Sequence, residues 1–199
     1  SPNDALEREG YRLAAFAVDH VEGALGYALI EDERPGTFDP QAAEALGVRP
    51  GPDFGRLQSG DSVGGVSPEQ VMGSPRRGRK LVLAGDTAPC EMTSVVAHQA
   101  DLLVHEATFL EEEAERAAET RHSTARQAAE LAAAAEVRLL ALTHVSPRYS
   151  AGQLRDEART AFEPTIVPRD FDRVELPLPE RGEPVHVRAA DGPPQPVAG

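Results

Sequence analysis

The chain has 199 residues, which is one domain or a large piece of one at about 100 to 200 residues per domain. No window approaches the roughly 18 to 20 consecutive apolar residues of a bilayer-spanning helix, and Ser1-Pro2-Asn3-Asp4 is neither basic nor apolar enough for a signal peptide, so a cytoplasmic location is expected. A net charge of −13 repels a polyanion at long range, so contact with nucleic acid would need a local basic patch or a bound cation.

The single cysteine, Cys90, excludes an internal disulfide and every cysteine-based zinc motif, which leaves histidine and carboxylates to hold any metal. Only 5% of residues are aromatic, so the core is expected from Ala, Val and Leu, and 17 Pro with 17 Gly imply many turns. The chain starts without methionine and enters a strand-like segment within a dozen residues, so a missing N-terminal part is expected.

Two apolar runs, Tyr11 to Val18 and Ala24 to Ile30, read as strands joined by Asp19-His20-Val21-Glu22-Gly23. From Glu31 to about Gly78 the character changes: Pro and Gly punctuate one short helical stretch near Pro40 to Leu46, and no strong core signal is present. So long an excursion inside a compact domain reads as a protruding arm. Lys80 to Ala84 is the next strand, followed by a helix near Glu91 to Ala97, a strand at Asp101 to Val104 and an acidic helix over Leu110 to Glu119.

Thr124 and Gln127 have capping-box spacing and open an Ala-rich helix to about Ala135. A strand over Val137 to Leu142, a helix over Ala151 to Phe162 and a short strand at Thr165 to Val167 complete an alternating α/β layer architecture. The tail from Pro177 reads as loose, apart from a candidate strand Val185-His186-Val187.

Three strands end in a metal-competent residue: His20, Asp86 and His144. In α/β folds the loops beyond the strand ends gather ligands, so the pattern points to one shared rim. Each position alone is equally a turn residue; together they point to a site for zinc or a similar divalent ion. His122 lies just before a helix N-terminus, where an anion is favoured, and reads either as a phosphate contact and proton donor or as a solvated loop residue. Glu106 stands in an apolar setting and needs a partner, for which a histidine would serve.

The basic run Arg76-Arg77-Gly78-Arg79-Lys80 reads as a phosphate-facing patch or as a solvated turn. Cys90 has no base at a recognisable spacing and reads as a small packed residue, and His98 and His186 receive no role.

Taken in order, Asp19-His20 with Gly26-Tyr27, Pro50-Gly51-Pro52 with Leu57 and Gly60, Pro75 to Lys80, Gly85-Asp86-Thr87, His105-Glu106-Ala107-Thr108-Phe109, His122-Ser123-Thr124-Ala125 and Leu142 to Tyr149 form a specific signature. The sequence resembles the ribonuclease Z family, tRNA 3′-processing endoribonucleases of the metallo-β-lactamase superfamily, from about Leu13 to Tyr149. The resemblance implies an αββα sandwich, present here as its C-terminal portion (residues 1–176) with an arm at about 35–62 and a loose tail at 177–199.

It implies two zinc ions, with His20, Asp86 and His144 as metal ligands and Asp86 bridging. It implies His122 as the residue that contacts phosphate and protonates the leaving group, and Glu106 as the residue that orients it. Arg148, Gly51 and Pro52 become substrate contacts, precursor tRNA the partner, and a homodimer the assembly. The family's His-x-His-x-Asp-His cluster does not occur in this sequence, so the chain by itself is expected to be inactive. Two other readings stay open: another hydrolase of the superfamily, and a non-catalytic chain that binds tRNA or complements a second polypeptide.

Overall fold

The structure is a computed structural model that describes residues 1–2 and 4–189. It divides into two compact units: Ser1–Glu31 together with the chain from Arg79 onward, and Asp32–Gly78. The helices are α1 (Pro40–Ala45) and α2 (Pro52–Gln58) in the second unit, and α3 (Glu91–Ala97), α4 (Ala114–Thr120), α5 (Ala125–Ala134) and α6 (Ala151–Arg159) in the first.

The first unit is built on a mixed seven-stranded sheet whose spatial order follows the chain: β1 (Ala5–Arg8), β2 (Tyr11–Ala17), β3 (Leu25–Glu31), β4 (Lys80–Leu83), β5 (Leu102–Glu106), β6 (Leu140–Thr143) and β7 (Thr165–Ile166). The pairings from β1 to β4 are antiparallel and those from β4 to β7 are parallel. Two antiparallel steps separate β2 from β4, so β2 runs in the same direction as β4, β5 and β6. The C-terminal ends of these four strands therefore share one edge of the sheet.

Strand periodicity divides the apolar residues between two faces. Phe16, Ala28, Val82, Leu103, Leu140 and Leu142 join one buried cluster with Ala97, with Ala125, Ala128, Ala129 and Ala132 of α5, and with Leu154 and Ala158 of α6. Alanine at these helix positions lets the helix backbones approach the sheet closely. Gly26 is required in the same way: a Cβ there would lie 2.3 Å from the Phe16 ring. On the opposite face Leu102, Leu139 and Ala141 are buried with Leu81, Val104, Ile166, Val174 and Leu176.

The central parallel strands are covered on both faces and so read as continuous apolar runs in the sequence. β1, exposed along its whole length, carries no such signal and was not expected. The acidic helix expected over Leu110 to Glu119 is a 3-10 turn, Glu111–Glu113, running into α4. The capping box at Thr124 and Gln127 is formed.

Two further strands pair antiparallel, β8 (Arg173–Glu175), which was not expected, and β9 (Val185–Val187), the candidate strand of the tail; residues 190–199 of that tail lie outside the described residues. The pair is tied by Asp172, whose carboxylate accepts from the N–H of Arg169 at 3.0 Å, the N–H of Ala189 at 2.8 Å and His186 Nε2 at 2.7 Å.

The second unit has its own small core of Ala43, Val48, Leu57, Val66 and Val71, with Phe38 meeting Phe54 edge-on at 4.9 Å. The sequence reading found α1, which Asp39 caps, but not α2 or any core here. α2 buries only Leu57, too little for a helical period to show.

The basic run is largely committed to protein acceptors. Arg79 pairs with Glu31 and donates to the Leu176 carbonyl, Lys80 Nζ donates to the His98 carbonyl, and Arg76 Nε donates to the Pro35 carbonyl.

Replacing the fully buried Leu57 by alanine should cost about 2–5 kcal/mol. Because the two cores are separate, hydrogen exchange should quicken across residues 38–72 while β4 to β6 keep their protection; equal loss in both units would contradict this. The hydrogen bonds from Arg169 and Ala189, and then from His186, hold the Asp172 carboxyl down at about 2. A depressed folded-state pKa gives stabilisation that is full above the ordinary carboxylate range and is lost as pH falls through the depressed value. Exchange protection of β8 and β9 should thus persist at about pH 5 and decline between about pH 4 and 2, and equal protection at both ends of that range would refute the anchor.

Candidate metal centre and proton-transfer pair

The shared edge of β2, β4, β5 and β6 is where the candidate residues collect. His20 follows β2, Asp86 follows β4, Glu106 is the last residue of β5 and His144 follows β6. An isolated bridge between Asp19 and Ala88 holds the loops after β2 and β4 together, and another between Phe109 and Thr124 brings the entrance of α5, with His122, beside the end of β5. The His122 ring lies 4.8 Å from that of His20 and is stacked on that of His144 at 5.1 Å. His144 Nε2 is 3.5 Å from an Asp86 carboxylate oxygen. The five residues singled out as metal ligands or proton-transfer groups therefore meet at one edge of the sheet.

Glu106 is 1% exposed and organises this edge. One carboxylate oxygen accepts from the Thr87 N–H at 3.0 Å and from His122 Nδ1 at 2.5 Å. The other accepts from the Thr108 N–H at 3.1 Å, the Thr108 hydroxyl at 2.8 Å and the Ser123 N–H at 3.1 Å. Glu106, His122 and His144 each bring one ligand-competent atom within 4.8 Å of the others. With five donors on its two oxygens, however, Glu106 has no lone pair left for a metal, and its geometry suits an orienting role.

The hydrogen bonds also set the tautomers. The Arg121 carbonyl can only accept, so His20 carries its proton on Nδ1, at 2.9 Å, and keeps a lone pair on Nε2. The Thr108 hydroxyl gives its one proton to Glu106 and so receives one from His144 Nδ1 at 2.7 Å, which leaves His144 Nε2 as an acceptor facing Asp86. Metal-bound histidine is held in this way, one ring nitrogen fixed by a protein oxygen and the other free for the ion. By donor type, two such imidazoles and one half-exposed carboxylate suit a borderline divalent ion, but among the described residues only Glu106, His122 and His144 bring three ligand atoms within 4.8 Å of one another; of the expected ligand set, His144 and Asp86 are the close pair.

Thr87, Thr108, Ser123 and Arg121 were given no role by sequence reasoning, although the first three lie in the motifs quoted above. The available signal was the need of a buried Glu106 for several donors. Thr87 adds a second tie by accepting from the Asp19 N–H at 3.1 Å, and its carbonyl accepts from the Ser123 hydroxyl at 2.7 Å. Arg121, in the left-handed conformation at the end of α4, donates to the His20 carbonyl at 2.7 Å. His144 is itself left-handed at φ 51°, an arrangement that costs on the order of 1 kcal/mol and is typical of functional sites.

The other candidates lie as follows. Arg148 is half exposed and pairs with Glu113 at 3.2 Å. Gly51 and Pro52 begin α2 in the second unit, where Gly51 has φ 146°. His105 is buried, donates from Nδ1 to the Glu106 carbonyl, and has its pKa lowered chiefly by burial. Cys90 precedes α3 and contacts the Thr93 hydroxyl at 3.1 Å.

No family model matches the chain. The chain is 50% identical over 183 residues to Ribonuclease Z of Myxococcus xanthus (strain DK1622), a match covering 88% of this chain and 60% of that protein. Among solved structures, the short form of human tRNase Z superposes with a TM-score of 0.54 at 21% identity, covering 86% of this chain and 44% of that one. The metallo-β-lactamase fold protein YhfI from Bacillus subtilis gives 0.53 at 16% identity, covering 84% and 50%. The chain thus spans about three fifths of the length of the curated relatives it matches. At this identity over most of its own length, the chain is a homologue of the proteins named Ribonuclease Z and is built on the metallo-β-lactamase fold.

Proposed function

We propose that this chain carries part of the active site of a metal-dependent endoribonuclease that removes 3′ trailers from precursor tRNA. The observation that carries this reading is the placement of His122, oriented by Glu106, against two histidines whose Nε2 atoms are both free to ligate. The names of the relatives supply the substrate, and the site supplies groups suited to phosphodiester hydrolysis.

His20, Asp86 and His144 would hold the metal, taken here as two zinc ions, with Asp86 able to serve both through its two oxygens. Bound there, the metal polarises the phosphate and lowers the pKa of water toward neutrality. His122 donates its Nδ1 proton to Glu106, so Nε2 is the outward atom, and in the imidazolium form, whose charge the Glu106 carboxylate faces, it would pass its second proton from Nε2 to the departing 3′-oxygen. Glu106 fixes the ring in that orientation. Thr108 fixes His144 and Arg121 fixes His20. Arg148, Gly51 and Pro52 are proposed to touch the RNA, and the resemblance extends the proposal to a homodimer.

Because the activity is ascribed to the whole protein, purified residues 1–199 should not cleave a precursor tRNA carrying a 3′ trailer. Cleavage by this chain alone, followed on a labelled transcript, would overturn that part of the reading. In a version that carries the remaining residues, His122→Ala should lower kcat by roughly 100-fold or more with little change in KM, and the opposite split would remove the proton-donor role. Thr108→Val should weaken zinc binding by about 10- to 100-fold, read by calorimetry without turnover, since it frees the His144 ring to rotate. Undiminished affinity would show that Thr108 does not set the ligand.

A further inference from the structure

Away from this edge, α6, the segment after β7 and the β8–β9 pair enclose a cavity of about 430 Å³, within the roughly 300–1,000 Å³ range of ligand sites. Its polar lining is Arg155, Arg159, Arg169, Arg188, His186 and Asp172. Four guanidinium groups around one cavity are unexpected in a chain of net charge −13, because like charges repel unless something compensates them.

The compensation inside the cavity is small. Among the described residues Asp172 is the one carboxylate in the lining, and its oxygens already accept from two backbone N–H groups and from His186. Arg155 pairs with Asp156 and Arg159 with Glu163, but both acidic partners are mostly exposed, at 68% and 75%, and such pairs are weak; Arg159 Nε also donates to the Thr165 carbonyl at 3.1 Å, which leaves Arg169 and Arg188 as the arginines available to a ligand. Arg169 and Arg188 have no side-chain hydrogen bond or ion pair among the described residues.

The cavity also reaches Ala151 and Gly152, the first two residues of α6. The Ser150 hydroxyl caps the N–H of Gln153, so the amides of Ala151 and Gly152 remain without an intrahelical acceptor, as first-turn amides do.

We propose that this cavity is an anion site that takes a phosphate group, bound by the guanidinium groups of Arg169 and Arg188, two exposed residues of its lining, with the first turn of α6 on the same cavity. The group can come from free phosphate or from the backbone of an RNA, and nothing in the proposal depends on RNA cleavage. Titration of residues 1–199 with inorganic phosphate, followed through the arginine Nε–H resonances, should shift Arg169 and Arg188 with a dissociation constant of about 10 mM or tighter.

Arg169→Gln with Arg188→Gln should weaken binding by roughly tenfold or more, because each guanidinium contributes charge-assisted hydrogen bonds. If that pair does not fold, Arg188→Gln alone carries the same test. A second arm uses a short single-stranded RNA. Shifts at the same two arginines that inorganic phosphate reverses identify a backbone phosphate as occupant, while shifts with phosphate only identify the free ion. No shift with either, or unchanged affinity in the variants, would overturn the site.

Discussion

The candidate site depends on burying one carboxylate. A charge removed from water as completely as that of Glu106 is tolerated only with compensating hydrogen bonds. Glu106 meets that demand from three directions: the loop after β4 through Thr87, its own loop after β5 through Thr108, and the entrance of α5 through His122 and Ser123. Three loops that could otherwise move independently must therefore keep one geometry. The hydroxyl of Thr108 carries the constraint on to His144, and Thr87 carries it to the backbone next to His20.

Strand direction explains why residues so distant in sequence can be tied in this way. β2 lies in the antiparallel half of the sheet, yet it runs with β4, β5 and β6, so the loop carrying His20 opens at the same edge as those carrying Asp86, Glu106 and His144. Each residue needs only to follow its strand. The rim is a product of topology, and the hydrogen bonds of Glu106 refine it to the spacing of a chemical site.

Much of this was legible in the sequence where burial writes a pattern. β5 and β6 are covered on both faces and appear as apolar runs, β4 is an apolar run with one buried face, and α5 announces itself through its capping box. His20, Asp86 and His144 were visible because they terminate such runs. β1 was not, since it is fully exposed, and the core of the second unit was not, because single residues such as Leu57 from short elements build it. Thr87, Thr108, Ser123 and Arg121 were missed for another reason. They act largely through backbone N–H and carbonyl groups, which leave no mark in side-chain chemistry, and their three hydroxyls and the Arg121 guanidinium meet partners that only the fold supplies. The pairing of Glu106 with His122 could be argued from need; its other donors could be known only from the fold.

The junction between the two units has a consequence for how sequences of this kind can change. Glu31, the last residue of β3, and Arg79, just before β4, are joined by a backbone hydrogen bond at 2.9 Å and by the carboxylate–guanidinium pair. The chain therefore leaves the sheet after Glu31 and returns to it at Lys80, with the two crossing points bonded to each other. Lengthening or shortening what lies between costs mainly loop-closure entropy, about 0.6 kcal/mol for each doubling. The insertion can be exchanged as a cassette, and drift in its size need not disturb the register of β3 against β4.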